Sequence, residues 1–354
     1  MVGEEYGSGF DADEDIIFPV HHGVLGIIRY RPQQVAQVDQ PQCRGQGVEL
    51  GGECREVTVL FADVKGSMEL AEQVDPDEWH RILERFFQIL QDVFAKVDVE
   101  LELIVDAVCC GSGVIEERSE LTSLAVNAKN MAHAEAMGLP LYTPCSTCYN
   151  VIANAQKRMQ EDPAVHAQVN EILPDQGLEY NRTCKITHTL WVFAQDVGLD
   201  KLKERITNPL NGLRVASYYG CHTRNPADIQ DYESSDNPTS LEDILRVLGV
   251  QIVDYDTKDD CCGYHLAWPN NQLNMEMTSN VLEGAHNKDV DMLVTSCPLC
   301  FKSMDGTQAK ALAQTGKNFQ LPVLFLPELV GLACGMSAKD MMLEYHGVPV
   351  NIRL

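Results

Sequence analysis

Past residue 55 the chain alternates short apolar, β-rich runs with stretches whose apolar positions recur at helical spacing. Val57-Thr58-Val59-Leu60-Phe61-Ala62 predicts a buried strand. Asp75-Pro76-Asp77-Glu78 predicts a helix start, with an Asp cap, Pro at the first helical position and Glu at the third. Trp79, Ile82, Leu83, Phe86, Leu90 and Val93 then mark one face of that helix. A helix is expected from about Ser119 to Met137, stopped by Gly138, followed by a strand over Leu139 to Thr143. Helices are next expected over Pro163 to Leu173, Thr187 to Val197 and Leu199 to Ile206, up to a boundary at Pro209 and Gly212. Beyond it come a strand from Leu213 to Tyr219 and a helix opened by the capping box Thr239-x-x-Glu242, with Leu241, Ile244, Leu245 and Leu248 on one face. A strand over Val250 to Tyr255, a helix near Gln272 to His286 and a strand over Asp291 to Thr295 follow. Leu329, Val330 and Leu332 read as a helix pattern that makes Cys334 a core residue. Such alternation implies parallel βαβ units in an α/β fold, with ligands gathered at the carboxyl ends of the strands.

The cysteines lay a second pattern over the first. Cys109-Cys110-Gly111 is followed by Cys145-x-x-Cys148, and Cys261-Cys262-Gly263 by Cys297-x-x-Cys300, two copies of one spacing 152 residues apart. A match at four cysteines and a glycine marks an internal duplication, and metal centres are the reason for it that fits best. Two sulfurs separated by two residues converge on one centre when the chain turns between them. A disulfide between adjacent cysteines is strained, whereas adjacent thiolates can bind different irons of one cluster. The glycine lets the backbone pass close to a bulky inorganic core. Four thiolates per half would also satisfy structural zinc, so zinc stays open, above all in the first half. Cys184 reads as packing, and Cys43 and Cys54 as thiols without a ligand role.

On these residues, Cys221, Cys261-Cys262-Gly263 and Cys297-x-x-Cys300, the chain resembles the cysteine-rich CCG domain of the B-type subunit of heterodisulfide reductase. The flanking text Tyr218-Tyr219-Gly220-Cys221-His222, Cys261-Cys262-Gly263-Tyr264-His265 and Gly316-Lys317-Asn318-Phe319, then Leu321-Pro322-Val323-Leu324, is similar as well. The resemblance runs from about Val99 to Ala338. It implies two pseudo-repeated βαβ-type modules whose cysteine faces approach each other. In that family each CCG domain binds a noncubane 4Fe–4S cluster through five cysteines and reduces a disulfide, so the second site would use Cys221, Cys261, Cys262, Cys297 and Cys300. Electrons would come from a ferredoxin-like iron–sulfur subunit and a flavoprotein subunit. Relatives serve in succinate:quinone reductases and in lactate and glycolate oxidation, which makes an electron-transfer subunit of such a dehydrogenase complex the alternative reading; a zinc-stabilised interaction module is a third. His222 and His265 lie close to the cysteines, either as packing or as donors to a sulfur.

The first half departs from that pattern. Its first cysteine is expected near residue 69, yet none lies between Cys54 and Cys109, leaving Cys109, Cys110, Cys145 and Cys148 to hold a 4Fe–4S cluster or zinc. Arg55 to Leu90, with Val59-Leu60-Phe61-Ala62-Asp63-Val64-Lys65-Gly66-Ser67, resembles the opening of a class III nucleotidyl cyclase domain, in which the Asp matching Asp63 binds a metal. The second metal Asp of a cyclase has no counterpart, because the chain runs instead through Val105-Asp106-Ala107-Val108 into Cys109, and no cyclase activity is expected. Asp63 stands about where the missing cysteine would sit, as a structural residue or a substitute ligand. The expected organisation is a loosely ordered extension over 1–54 with one short strand near Val24 to Ile28, the cyclase-like segment 55–97, the rest of the first module over 98–160, a helical connection over 161–212 and the second module over 213–354.

Charge narrows the partners. A net charge of −25 argues against nucleic acid and anionic membrane, which call for basic patches. The first 20 residues hold six carboxylates and no Lys or Arg, which is no signal peptide, and no apolar run is long enough to span a bilayer. With an odd number of cysteines, 13, the chain suits a reducing cytoplasm.

Overall fold

The computed structural model describes residues 26–29, 56–59, 76–104, 106–173, 177–224, 229 and 232–350, with side chains from Glu84 onward. Two sheets organise them. The first contains β1 (Gly26–Arg29), β2 (Glu56–Val59), β3 (Leu101–Leu103), β4 (Leu141–Thr143) and β5 (Ile186–His188), in the order β1-β3-β2-β4-β5. The second contains β6 (Arg214–Tyr218), β7 (Gln251–Ile252), β8 (Met292–Thr295) and β9 (Val323–Phe325), in the order β7-β6-β8-β9. All neighbours in the second sheet are parallel, as are β3, β2, β4 and β5 in the first, while β1 runs antiparallel to β2 and β3. The α/β class and the duplication are thus present in the backbone: β3-β2-β4-β5 repeats as β7-β6-β8-β9. The register repeats too, for Val59 pairs with Tyr142 where Ser217 pairs with Val294.

Helices join the strands in sequence: α1 (Pro76–Lys96), α2 (Glu120–Met137), α3 (Ser146–Glu161), α4 (Pro163–Ile172), α5 (Leu199–Arg205), α6 (Ser240–Val247), α7 (Asn271–His286), α8 (Pro298–Phe301), α9 (Gln308–Gln314) and α10 (Leu326–Ala333). In α2 the Ser119 hydroxyl accepts from Thr122 N–H at the start and Gly138 adopts φ 72 at the end, as its sequence predicts. Asn270 caps α7 in the same way through Leu273 N–H. The core joins both halves: α10 packs on α1, and Phe94 of α1 stacks on Phe193 at 4.8 Å and meets Tyr142 of β4 edge-on at 5.2 Å. Trp191 is fully buried, stacks on Tyr232 of the second half at 4.5 Å and donates to Glu233.

Four local expectations are corrected. The helix expected over Thr187 to Val197 begins only at Thr189, because Ile186–His188 pairs with β4 as the fourth parallel strand of its sheet. The segment 161–212 is therefore more than a helical connection. Glu135 delivers the chain into β5 by accepting from the Asn181, Thr183 and Cys184 N–H groups at 2.6, 2.6 and 2.9 Å. Second, β9 is an additional strand, hidden in an apolar run that lacks alternation. Third, β7 is only two residues long, although Val253 N–H still donates to Val215. Fourth, Thr239 makes no side-chain cap for α6. Glu233 accepts from the Thr239 and Ser240 N–H groups instead, and Glu242 turns inward to accept from Ser217 and Tyr219 hydroxyls at 2.7 and 2.6 Å. Cys43, Cys54, Asp63 and the stretch 60–75 of the cyclase-like segment lie outside the described residues. Among the described residues no helix is long and apolar enough to cross a membrane.

Candidate metal centre

The repeated sheets place the repeated cysteines alike. Cys145 and Cys297 follow β4 and β8 and cap α3 and α8 with nearly the same backbone, φ −116 in both. Each is fixed by its own N–H donating to a threonine hydroxyl at the strand end, Thr143 at 3.2 Å and Thr295 at 3.3 Å. In the Cys-Cys-Gly turns, Gly111 and Gly263 have φ 81 and 78, a region that favours glycine, and each donates its N–H to the first sulfur of its pair, at 3.3 Å to Cys109 and 3.4 Å to Cys261. Asn127 and Thr278 hold the second cysteine's carbonyl from α2 and α7, donating to Cys110 and Cys262. All nine sequence-predicted cysteines lie beyond the carboxyl ends of their strands.

Their sulfurs form one continuous string. In the second half Cys262 lies 3.4 Å from Cys300, and Cys221, Cys261 and Cys297 each act electrostatically on their neighbours along the same run. Cys297 and Cys145 come close enough across the halves to shift one another's charge, and in the first half Cys148 and Cys110 lie 2.8 Å apart, with Cys109 acting on Cys110 in turn. Charge along it is uneven. Hydrogen bonds from the Cys221 and Cys262 thiols and from Gly263 N–H pull Cys261 down to about 2. Cys297 is held well below the usual thiol range by bonds from Cys145 and Cys300, and Cys110 by bonds from Cys109 and Cys148. Their partners move the other way: Cys221 and Cys262 are raised chiefly by their bonds to Cys261, Cys300 by its bonds to Cys262 and Cys297, and Cys145 and Cys148 chiefly by burial. At Cys145 burial outweighs the lowering that a helix N-terminus alone would produce.

Around the second site a cleft is lined by Gly220, Cys221, His222, Cys261, Cys262, Tyr264, His265, Cys297, Leu299 and Cys300, and by Ser146 and Thr147 from the first half. Thr147 lies between Cys145 and Cys148, and its hydroxyl meets His222 Nδ1 at 2.8 Å; His222 in turn touches the His265 ring, centroids 4.9 Å apart. His188, buried at the end of β5, is pushed down to about 4 by burial and is therefore a neutral ring at ordinary pH. Thr147, Ser146 and His188 carry no sequence signal of their own, since their importance comes from the contact between halves.

The residues fit an inorganic cluster. Sulfur donors converge from three loops, backbone N–H groups point at them, and the buried Ser296 hydroxyl beside Cys297 has no partner among the described residues. Gly220 leaves a cradle: a Cβ there would lie 3.0 Å from Cys300 Sγ, at φ 78. Among the described residues, no three Cys, His, Asp or Glu side chains close around one point as a single ion requires. Gly220→Ala is expected to cost about 1–3 kcal/mol through backbone strain and to displace Cys300, which thermal melting and metal content of one preparation will show together.

Comparison with known proteins agrees with the geometry. The cysteine-rich CCG domain family matches residues 81–153 and 215–305. A heterodisulfide reductase protein of Archaeoglobus profundus, described as like the B-type subunit, is 32% identical, over 71% of this chain and 86% of its own. The B-type subunit of the ferredoxin:CoB-CoM heterodisulfide reductase of Methanosarcina mazei is 31% identical, over 68% and 81%. The chain belongs to the family of heterodisulfide reductase B-type subunits. An 8-methylmenaquinol:fumarate reductase membrane anchor subunit of Wolinella succinogenes is 38% identical, over 67% of this chain and 82% of its own. A crystal structure of a hypothetical protein from Helicobacter pylori shares the fold, with a TM-score of 0.58 at 17% identity over 75% of this chain and 49% of that one.

Within this heterodisulfide reductase-type chain the strand register locates the departure of the first half. Thr58 pairs with Leu141 where Ala216 pairs with Leu293, so the sequence position answering to Cys221 is Asp63 rather than residue 69. Two further cysteines stand apart from the string. Cys184 donates to its neighbour's carbonyl, and burial pushes it up to about 12; Cys334 is pushed by burial to about 11. Because the thiolate appears only as pH approaches these values, alkylation of both in the folded chain should be negligible at pH 8 and rise with pH, as peptide mapping after iodoacetamide treatment will report.

Proposed function

We propose that this chain is the disulfide-reducing iron–sulfur subunit of a multi-subunit redox complex. The observation that carries the reading is the string of nine cysteines, five of them grouped with a cleft at the junction of the halves. Cys221, Cys261, Cys262, Cys297 and Cys300 would hold a noncubane 4Fe–4S cluster, and Cys109, Cys110, Cys145 and Cys148 a second cluster or zinc. When bound, the cluster supplies a site that exchanges single electrons and binds sulfur. The chain's own residues do the rest. Ser146, Thr147, His222 and His265 line the cleft beside the cysteines, together with Leu299 and Tyr264. The net change is RSSR′ + 2 e⁻ + 2 H⁺ to two thiols, with electrons from a ferredoxin-like subunit and ultimately a flavoprotein, since the chain has no nucleotide fingerprint of its own. The acidic composition suits docking of basic partners in the cytoplasm.

The fumarate reductase relative favours a second reading, in which the same centre passes electrons between a flavoprotein dehydrogenase and a quinone pool without a disulfide substrate. Anaerobic iron, sulfide and zinc analysis with EPR tests the first: about eight irons per chain means two four-iron clusters and about four means one. Zinc without iron overturns both readings. Iron-loaded protein that turns over no disulfide with a chemical reductant, yet copurifies with a flavoprotein, supports the second.

A further inference from the structure

Cys221 and Cys261 line one cleft, although they arrive on different turns 40 positions apart in the chain. Two contacts flank them both. Three residues before Cys221, the buried Tyr218 donates its hydroxyl at 2.7 Å to the carbonyl of Asp260, immediately ahead of Cys261. Three residues after Cys221, the Arg224 guanidinium pairs with the Asp259 carboxylate. Arg224 is itself anchored: its N–H donates to the Cys221 carbonyl and its Nε to the Ser235 carbonyl, both at 3.1 Å. Thr223 closes the same turn by donating its hydroxyl to the Tyr219 and Gly220 carbonyls, at 2.8 and 3.1 Å. The sequence of the first half has none of these side chains at the answering positions. Ala107 and Val108 stand in place of Asp259 and Asp260, and the register of β2 puts Leu60 and Gly66 where the second half has Tyr218 and Arg224. There Asn130 of α2 holds the turn, donating to the Val108 carbonyl at 2.8 Å and accepting from the Val108 N–H at 3.0 Å.

We propose that Tyr218 and Arg224 are positioning residues that bracket the Cys221 and Cys261 turns and hold the two sulfurs within bonding range independently of metal. A contact on each side fixes both the separation of the turns and their rotation, which a single contact leaves free. The phenol is buried, so breaking its bond leaves an unpaired polar group away from water. The planar guanidinium serves Asp259 and Ser235 at once, which a lysine ammonium in its place does less well. The two halves are thereby wired differently. The Cys109 turn is secured to its own helix, whereas the Cys261 turn is secured to the loop that brings a fifth cysteine. That these sulfurs serve one cluster rests on the function proposed above; the bracket itself does not, and it is tested without metal.

The experiment uses the full chain with Cys262→Ala, Cys297→Ala and Cys300→Ala, stripped of metal by a chelator and equilibrated in glutathione buffer. The Cys221 and Cys261 thiols give two electrons and two protons to glutathione disulfide as their sulfur–sulfur bond forms, releasing two glutathione thiols. Mass spectrometry of the alkylated peptides then gives the effective concentration of one thiol for the other. A second background, Cys221→Ala, Cys261→Ala and Cys297→Ala, gives the same quantity for Cys262 and Cys300, whose sulfurs lie 3.4 Å apart. Tyr218→Phe removes one hydrogen bond and keeps the ring. The Cys221–Cys261 value should therefore fall about fivefold, the factor carried by one net hydrogen bond, while the Cys262–Cys300 value stays. Arg224→Asp should lower it as well, and adding Asp259→Arg should recover part of the loss, because the swap rebuilds the pair across the same two turns. An unchanged value in both Tyr218→Phe and Arg224→Asp overturns the proposal. So does an equal fall in the Cys262–Cys300 value, which marks a general loss of fold. No recovery in the swap, or no Cys221–Cys261 link in the parent background, overturns it too. Failure of the wild-type chain to bind iron would instead overturn the proposed function and leave the bracket standing.

Discussion

Cys261→Ala should remove about four irons per chain and lower disulfide reduction at least about 100-fold, while the four first-half cysteines keep whatever metal they hold. The size of the effect follows from the place of Cys261 in the string. It is the acceptor for both the Cys221 and Cys262 thiols and for Gly263 N–H, and it is pulled down to about 2. A depressed thiol is charged at every pH above that value, so Cys261 is ready to bind a cation without the loss of a further proton. Alanine leaves two thiols and an amide without their acceptor and removes the charge. Metal analysis of this variant beside Cys109→Ala separates the sites: retention of all iron in Cys261→Ala would overturn its assignment as a ligand.

Trp191→Ala is the largest stability effect expected outside the cysteines, about 3–5 kcal/mol of unfolding free energy, read by denaturant titration. The indole is buried in the first half, stacked at 8° on Tyr232 and bonded to Glu233 of the second. Tyr232 reaches back to the carbonyl of Ile186 in β5, and Glu233 also accepts the first N–H groups of α6. Removing the indole therefore opens a cavity and frees the loop that follows Cys221. A drop under about 1 kcal/mol would show that the loop is held without it.

Much of this was legible because the cysteine spacing is a covalent pattern that repeats, and the structure repeats it in sheet order and register. The ends of α2 were legible too, since Ser119 and Gly138 act within one turn of themselves. What failed was less local. β5 and β9 are three-residue strands buried on both faces, so neither shows alternation, and Ile186 with Leu190 mimics helical spacing. The Thr239-x-x-Glu242 motif misled because Tyr219 and Ser217, brought by β6, outcompete the local backbone for Glu242. At the candidate centre, the Thr147–His222 contact joins positions that meet only when both halves are folded.

The parallel pairing has a price in time. Thr58 of β2 meets Leu141 of β4, and Val215 of β6 meets Met292 of β8, so neither sheet forms from a hairpin and each must close long segments of chain first. Newly made chain would therefore pass through a slow search in which nine thiols, later arranged as a string, are unpaired and free to react with one another. Refolding from denaturant should accordingly be slow and far more productive under strong reductant than in air, which places the delivery of iron late, after the two sheets have closed on each other.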